Sequence, residues 1–254
     1  MQNKVWLIGG TSDSVAIAKI LATNRVLFAV SVVTREAKAL YPIDTQIFVG
    51  CMNKEAMQLF CQQENIAAVI DASHPYAVEV SKQAIAITNQ LNISYLRYER
   101  SSQAASNMTV ENSLITELDS IDILLGGKYL QGQKVLLTIG CNTLPRFQSW
   151  QSKSTLYARI LPKIESLNIA LTAGFTSDRL IAIRPPVGIS LEKALWRQWD
   201  ISLVVTKASG KAGGEDIKRQ VAIDLNIPLI VITRPKIIYP QQTSDLQEVL
   251  HFCP

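Results

Sequence analysis

The chain has 254 residues, 48% apolar and 18% charged, with 25 basic side chains against 21 acidic. That apolar share supports a packed core and excludes a disordered chain, and 12 glycines with 10 prolines exclude collagen-like and linker-like classes. A net charge of +4 without basic runs does not suit a nucleic-acid binder, and it is compatible with an acidic small molecule as ligand.

The first third alternates short apolar runs with helical spacing. Lys4–Ile8 reads as a strand ending at Gly9–Gly10, and Ser12–Leu21 sets Val15, Ala18 and Leu21 on one helical face. Val26–Val33 is β-rich, Gln46–Val49 is a short strand stopping at Gly50, and Asn53 is placed to cap a helix over 53–63. Ala67–Ile70 runs into Asp71, Tyr76–Leu91 has helical spacing, and Ile93–Leu96 is a further strand. This order implies right-handed crossovers and a parallel sheet. Arg100–Met108 is polar and reads as the start of a linker, and Val110–Leu125 as one helix bridging two halves.

A second series begins at Lys134. Strands are predicted at Val135–Ile139, Thr155–Leu161, Leu180–Ile183, Ile201–Thr206 and Leu229–Thr233. Helices are predicted at Leu144–Trp150, Ser190–Gln198 with Ser190 as its cap, and Gly214–Leu225. The expected fold class is α/β: two Rossmann-like domains with mainly parallel sheets and an interdomain cleft. Residues 1–100 form the dinucleotide-binding domain, and residues 101–254 a second domain that completes the cleft and binds substrate.

Other classes fall away. The longest apolar run, Val26–Val33, is interrupted by Ser31 and far shorter than the roughly 18–20 residues that span a bilayer. The start shows no signal-peptide pattern, so the expected location is cytoplasmic. Cys51, Cys61, Cys141 and Cys253 form no Cys-x-x-Cys pair, and His74 and His251 are the only histidines. No protein-built metal site is expected, and the thiols are expected to be reduced and mostly buried. No tyrosine has lysine four residues on, and neither Gly-x-Ser-x-Gly nor a phosphate-loop motif is present, which disfavours short-chain dehydrogenase, hydrolase and NTPase chemistry.

In open α/β sheets, ligands sit beyond the carboxyl ends of the strands. Gly9, Gly10, Thr11, Ser12 and Asp13 open the first helix, where glycines and a helix N-terminus suit a pyrophosphate. Thr34 and Arg35 end the second strand, where arginine accommodates a 2′-phosphate, so NADPH is favoured with NADH as the alternative. The bland readings are a tight turn without ligand and a solvated surface arginine. Ser73, His74 and Pro75 follow a buried strand and are expected to line the cofactor. The run Lys207–Gly214, with three glycines, one serine and two lysines, reads as an anion nest.

Together these loops resemble the precorrin-6A reductase family of cobalamin biosynthesis. The resemblance rests on Gly9–Asp13, Asp71–Ala77, Tyr95–Arg100, Ala158–Pro162, Val205–Gly210 with Gly213, Gly214 and Lys218, and Ile232–Pro235, which appear in the family's order. It implies hydride transfer from a reduced nicotinamide to a macrocycle double bond, giving precorrin-6B. The substrate is then a polycarboxylate tetrapyrrole, and any cobalt belongs to that substrate. Tyr76, Arg97, Arg100, Lys207, Ser209, Gly210 and Arg234 become candidate substrate contacts, and the proton donor is His74, Tyr76, Lys207 or water, with His74 and Lys207 as the catalytic candidates. Other pathway enzymes are candidate partners; nucleic acid and membrane are not. Against the family pattern, Ser73 stands for threonine, Ala208 for aspartate, and Pro185–Pro186–Val187 for Gly-Pro-Phe. The rival reading is a non-catalytic two-domain protein that binds a dinucleotide or an acidic metabolite.

Overall fold

Strand β1 (Lys4–Ile8) is apolar on both faces, with Val5 and Leu7 packed on one side and Trp6 and Ile8 on the other. A strand of this kind needs cover on both sides, as in a buried parallel sheet. The computed structural model describes residues 3–100, 113–185 and 187–254. The chain divides into two units, residues 1–101 with 236–254, and residues 102–235.

In the first unit, β1 pairs in parallel with β2 (Phe28–Val32) and β4 (Ile66–Asp71), which extend to β3 (Gln46–Val49) and β5 (Ser94–Tyr98). The sheet order is β12-β5-β4-β1-β2-β3, with β12 (Gln242–Thr243) as the added edge strand. Helices α1 (Ser12–Thr23) and α9 (Leu246–Phe252) cover one face through Ile17, Leu21 and Val249. Helices α3 (Lys54–Gln63) and α4 (Val78–Leu91) cover the other through Met57, Phe60, Ala84 and Ile87. Asn53 caps α3 by accepting from the Ala56 amide at 2.9 Å. The strand order reverses between β1 and β4, so the loops after those two strands diverge and leave room for a ligand. A short helix α2 (Arg35–Lys38) follows β2.

The second unit repeats the plan. Strands β6 (Ile115–Leu118), β7 (Lys134–Thr138), β8 (Thr155–Ile160), β9 (Leu180–Ala182), β10 (Leu203–Lys207) and β11 (Leu229–Ile232) give the order β6-β11-β10-β7-β8-β9. These strands all pair in parallel, and the reversal lies between β7 and β10. Helix α5 (Ile121–Gly126), the 3-10 helix Cys141–Trp150 and α6 (Ile164–Thr172) cover one face. Helices α7 (Ile189–Gln198) and α8 (Glu215–Leu225) cover the other through Trp196, Val221 and Ala222.

Four expectations change. The single helix over 110–125 is replaced, within the described residues, by β6 and α5, because residues 115–118 pair with β11. Most of the expected linker, 101–108, lies outside the described residues. Ser190 is the second residue of α7, and Gly188 takes the cap position. Residues 236–254, expected in the second domain, belong to the first unit: β12 pairs with β5 and Val249 sits in the same core as Ile17. The thiols are all free, yet only Cys61 is fully buried and Cys51 is exposed.

Candidate active site

The turn after β1 is held by side chains. Gly9 donates its amide to Ser31 O, and a Cβ there would collide with the Tyr41 hydroxyl. Gly10 has φ +103°, a backbone state that favours glycine, and donates its amide to Tyr41 Oη at 2.9 Å. This corrects the expectation that the Gly10 amide faces a phosphate. Thr11 caps α1 by accepting from the Ser14 amide, and its hydroxyl donates to Ala72 O at 2.8 Å. Among the described residues no group accepts from the amides of Ser12 and Asp13, which open the helix. Arg100 lies over the same end: it pairs with Asp13, and its Nη2 donates to Ser12 Oγ at 3.0 Å. Arg100, expected on the substrate, therefore belongs with this turn.

Beside the turn, Arg35, Lys38, Tyr41, Pro42, Ile43 and Ile47 are among the residues that line a pocket of about 360 Å³. Arg35 and Lys38 bring two cations to an otherwise largely apolar wall, and Thr34 precedes them at the α2 cap position.

The loop after β4 rests on a buried carboxylate. Asp71 accepts from the Ser73 amide (2.9 Å), Ser81 Oγ (2.6 Å), Tyr95 Oη (2.6 Å) and Arg97 Nη1 (3.0 Å). Arg97 also donates to Ser73 Oγ and pairs with Glu99, and its guanidinium lies 5.4 Å from the Tyr239 ring centre. Burial pulls the Arg97 pKa down, but Asp71, Tyr239 and Glu99 outweigh it and hold it above its ordinary value. Arg97 is 1% exposed, so it does not present its charge to a substrate carboxylate, contrary to expectation. Ser73 is buried too, its polar groups turned to Asp71 and Arg97 rather than to a cofactor. What this platform presents outward is His74, exposed, with Pro75 and Tyr76 half-buried. His74 Nδ1 accepts from the Tyr76 amide at 3.3 Å.

In the second unit, Lys207 ends β10 and its ammonium reaches Thr143 Oγ1, near the start of the 3-10 helix that follows β7, at 3.3 Å. The two residues flank the strand-order reversal. Burial lowers the Lys207 pKa, partly opposed by Cys141. The loop 207–214 is not an open anion nest. Ser209 donates to Lys207 O, Gly213 to Gly210 O, Gly214 to Lys211 O, and Gly210 to the Glu215 carboxylate at 2.8 Å. Glu215 thus takes an amide expected for a ligand. Gly213 is required because a Cβ would overlap the Ser209 side chain. Arg234 Nε donates to Ala208 O at 2.9 Å, and its Nη2 lies 3.7 Å from where a Cβ on Gly210 would be. Beneath the loop, the buried Lys218 donates to Gly213 O (2.7 Å) and Gly214 O (3.0 Å). Burial, followed by Arg159, pushes the Lys218 pKa down to about 8 against the pull of Glu192, Glu215 and Asp216. Arg159 is itself paired with Glu192, which also accepts from Trp196 Nε1.

A model of the family described as Precorrin-6x reductase CbiJ/CobK matches residues 4–254. The chain belongs to that family. Cobalt-precorrin-6A reductase of Synechocystis sp. is 45% identical over 254 residues, covering 98% of this chain and 95% of that protein. Cobalt-precorrin-6A reductase of Priestia megaterium is 33% identical over 253 residues, covering 97% of this chain and 96% of its own. A solved structure titled CobK precorrin-6A reductase, 22% identical, covers 98% of this chain and 96% of that one with a TM-score of 0.79, so the fold is shared. Precorrin-6x reductases are oxidoreductases, and the non-catalytic reading is not favoured. Among the described residues no helix is long and apolar enough to cross a membrane, and no cluster of three metal-ligating side chains is present.

Proposed function

We propose that this precorrin-6x reductase family member reduces a macrocycle double bond of precorrin-6A in its cobalt-loaded form, with NADPH as reductant. The observation that carries the cofactor reading is the pocket holding Arg35 and Lys38 beside the Gly9–Asp13 turn. Two cations there suit a ribose 2′-phosphate, and an adenine fits against Pro42, Ile43 and Ile47. The Ser12 and Asp13 amides, with Arg100, suit the pyrophosphate. His74, Pro75 and Tyr76 line the nicotinamide side on their Asp71 platform.

In the second unit, Lys207, the Ser209 hydroxyl and Arg234 meet carboxylates of the tetrapyrrole, while the Gly210 amide stays with Glu215. When bound, the nicotinamide supplies the hydride. The residues of this chain orient it, exclude water and deliver a proton, for which His74 Nε2 and Lys207 Nζ are the donors. Lys207, with its lowered pKa, releases a proton more readily than an ordinary lysine. Positioning alone can lower the barrier by up to about 7–11 kcal/mol, so no acid–base pair of the short-chain dehydrogenase kind is needed. Cobalt in the substrate is supported by the names of the two relatives above. Such a reaction on a soluble intermediate belongs in the cytoplasm.

The test mixes purified protein, NADPH and precorrin-6A, with and without cobalt. Loss of NADPH absorbance together with a shift in the tetrapyrrole spectrum is expected, faster with the cobalt-loaded substrate. No change with either substrate and either nicotinamide would overturn the reading.

A further inference from the structure

The Gly9–Gly10–Thr11–Ser12–Asp13–Ser14 turn lacks two glycines of the dinucleotide fingerprint: Thr11 and Ser14 stand where its second and third glycines would be. The structure shows what replaces them. Gly10 N–H donates to Tyr41 Oη (2.9 Å), and Tyr41 Oη lies 2.7 Å from Ser14 Oγ. Ser14 Oγ donates to Thr11 O (2.7 Å) and accepts from Thr11 N–H (3.0 Å). The Ser14 proton is thereby committed, so the Tyr41 hydroxyl is the donor to Ser14 and its oxygen the acceptor from Gly10. Every hydrogen in this chain has one destination. Thr11 Oγ1 carries the chain on to Ala72 O, at the root of the His74 loop. Tyr41 is 7% exposed and reaches the turn from 31 residues away, and its ring is also a wall of the Arg35–Lys38 pocket.

We propose that Tyr41 is a positioning residue for the dinucleotide: its hydroxyl fixes the turn that presents the Ser12 and Asp13 amides, while its ring forms the adjoining pocket. This rests on the nicotinamide reading above. Because the diphosphate is common to NADPH and NADH, the hydroxyl serves both alike, whereas Arg35 and Lys38 discriminate between them.

The test is direct binding of NADPH and of NADH to the full chain, followed by nucleotide fluorescence, for wild type, Tyr41→Phe and Ser14→Ala. Tyr41→Phe removes the two hydrogen bonds its hydroxyl makes in a phosphate-facing turn and should weaken both nucleotides by roughly tenfold. In turnover assays KM for the nucleotide should rise while kcat stays within about twofold, a split that simple destabilisation does not produce. Gly9→Ala should cost less in the Tyr41→Phe background than in wild type, because the group it collides with has gone. Unchanged affinities in Tyr41→Phe would overturn the proposal, as would weakening confined to NADPH. If Tyr41→Phe does not fold, Ser14→Ala decides by the same criteria. Wild type that binds neither nucleotide would instead refute the cofactor reading itself.

Discussion

Arg35 and Arg97 both stand close to strand ends, yet their surroundings set opposite tasks for them. Arg35 is exposed at the rim of a pocket with Lys38, so its charge is available to a ligand. Arg35→Ala should raise KM for NADPH by roughly tenfold or more and leave KM for NADH nearly unchanged. An equal effect on both would remove Arg35 from the 2′-phosphate. Arg97 is committed to Asp71, Ser73 and Glu99 inside the fold. Both residues were visible in the sequence as strand-end cations. Their difference was not, because the Asp71 that captures Arg97 lies 26 residues away and the pairing exists only once β4 and β5 are adjacent. Tyr41 carries no sequence signal for the same reason, since Gly10 and Ser14 lie 31 and 27 residues away. Lys218 makes a separate point. With its folded pKa near 8 and an ordinary value of 10.5, both states hold the proton below pH 8, and between the two values only the unfolded chain does. Stability from this residue therefore rises with pH across that window. Denaturant unfolding of wild type and Lys218→Met at pH 7.5 and 9.5 should show wild type gaining on the variant at the higher pH; a constant difference would contradict the buried-ammonium account.

At the scale of elements, the apolar runs of β1, β2, β4, β7, β10 and β11 were legible because strands buried on both faces need unbroken apolar sequence. β6, with residues 115–118 alternating weakly, and β12, two residues long, carry no such signal; sheet pairing creates them. The glycine turn and the His74 loop were legible by position, but the anion nest was not, because Glu215 fills it from the following helix. The Asp71 network shows what elements gain from a shared polar centre: one carboxylate ties β4 to α4 through Ser81 and to β5 through Tyr95 and Arg97. Asp71→Ala leaves a buried guanidinium short of its partner and should cost about 3–5 kcal/mol in denaturant unfolding. Adding Arg97→Met should recover part of that loss. A double variant as unstable as the sum of its parts would show that the two residues do not act as a pair.

At the scale of the molecule, five strands of each unit share one order, and each unit adds its sixth strand beside the fifth, at the edge, from a different place in the chain. β6 precedes β7 in the second unit, while β12 joins the first unit after the whole second unit has passed. Removing residues 236–254 takes away β12, Tyr239 and the buried Val249 together. Hydrogen exchange on the truncated chain should show protection lost across β1, β4 and β5 and retained in β7 and β10. Uniform loss in both units would mean that they unfold together.

That late return has a consequence during synthesis. All the residues of the second unit are synthesised before the last strand and helix of the first. The half that starts first is therefore finished last, and a chain halted near residue 235 exposes the bare edge of β5 and the uncovered side of α1. The first unit becomes complete only once β12 and α9 are made, and a chain that ends before them lacks a finished first unit.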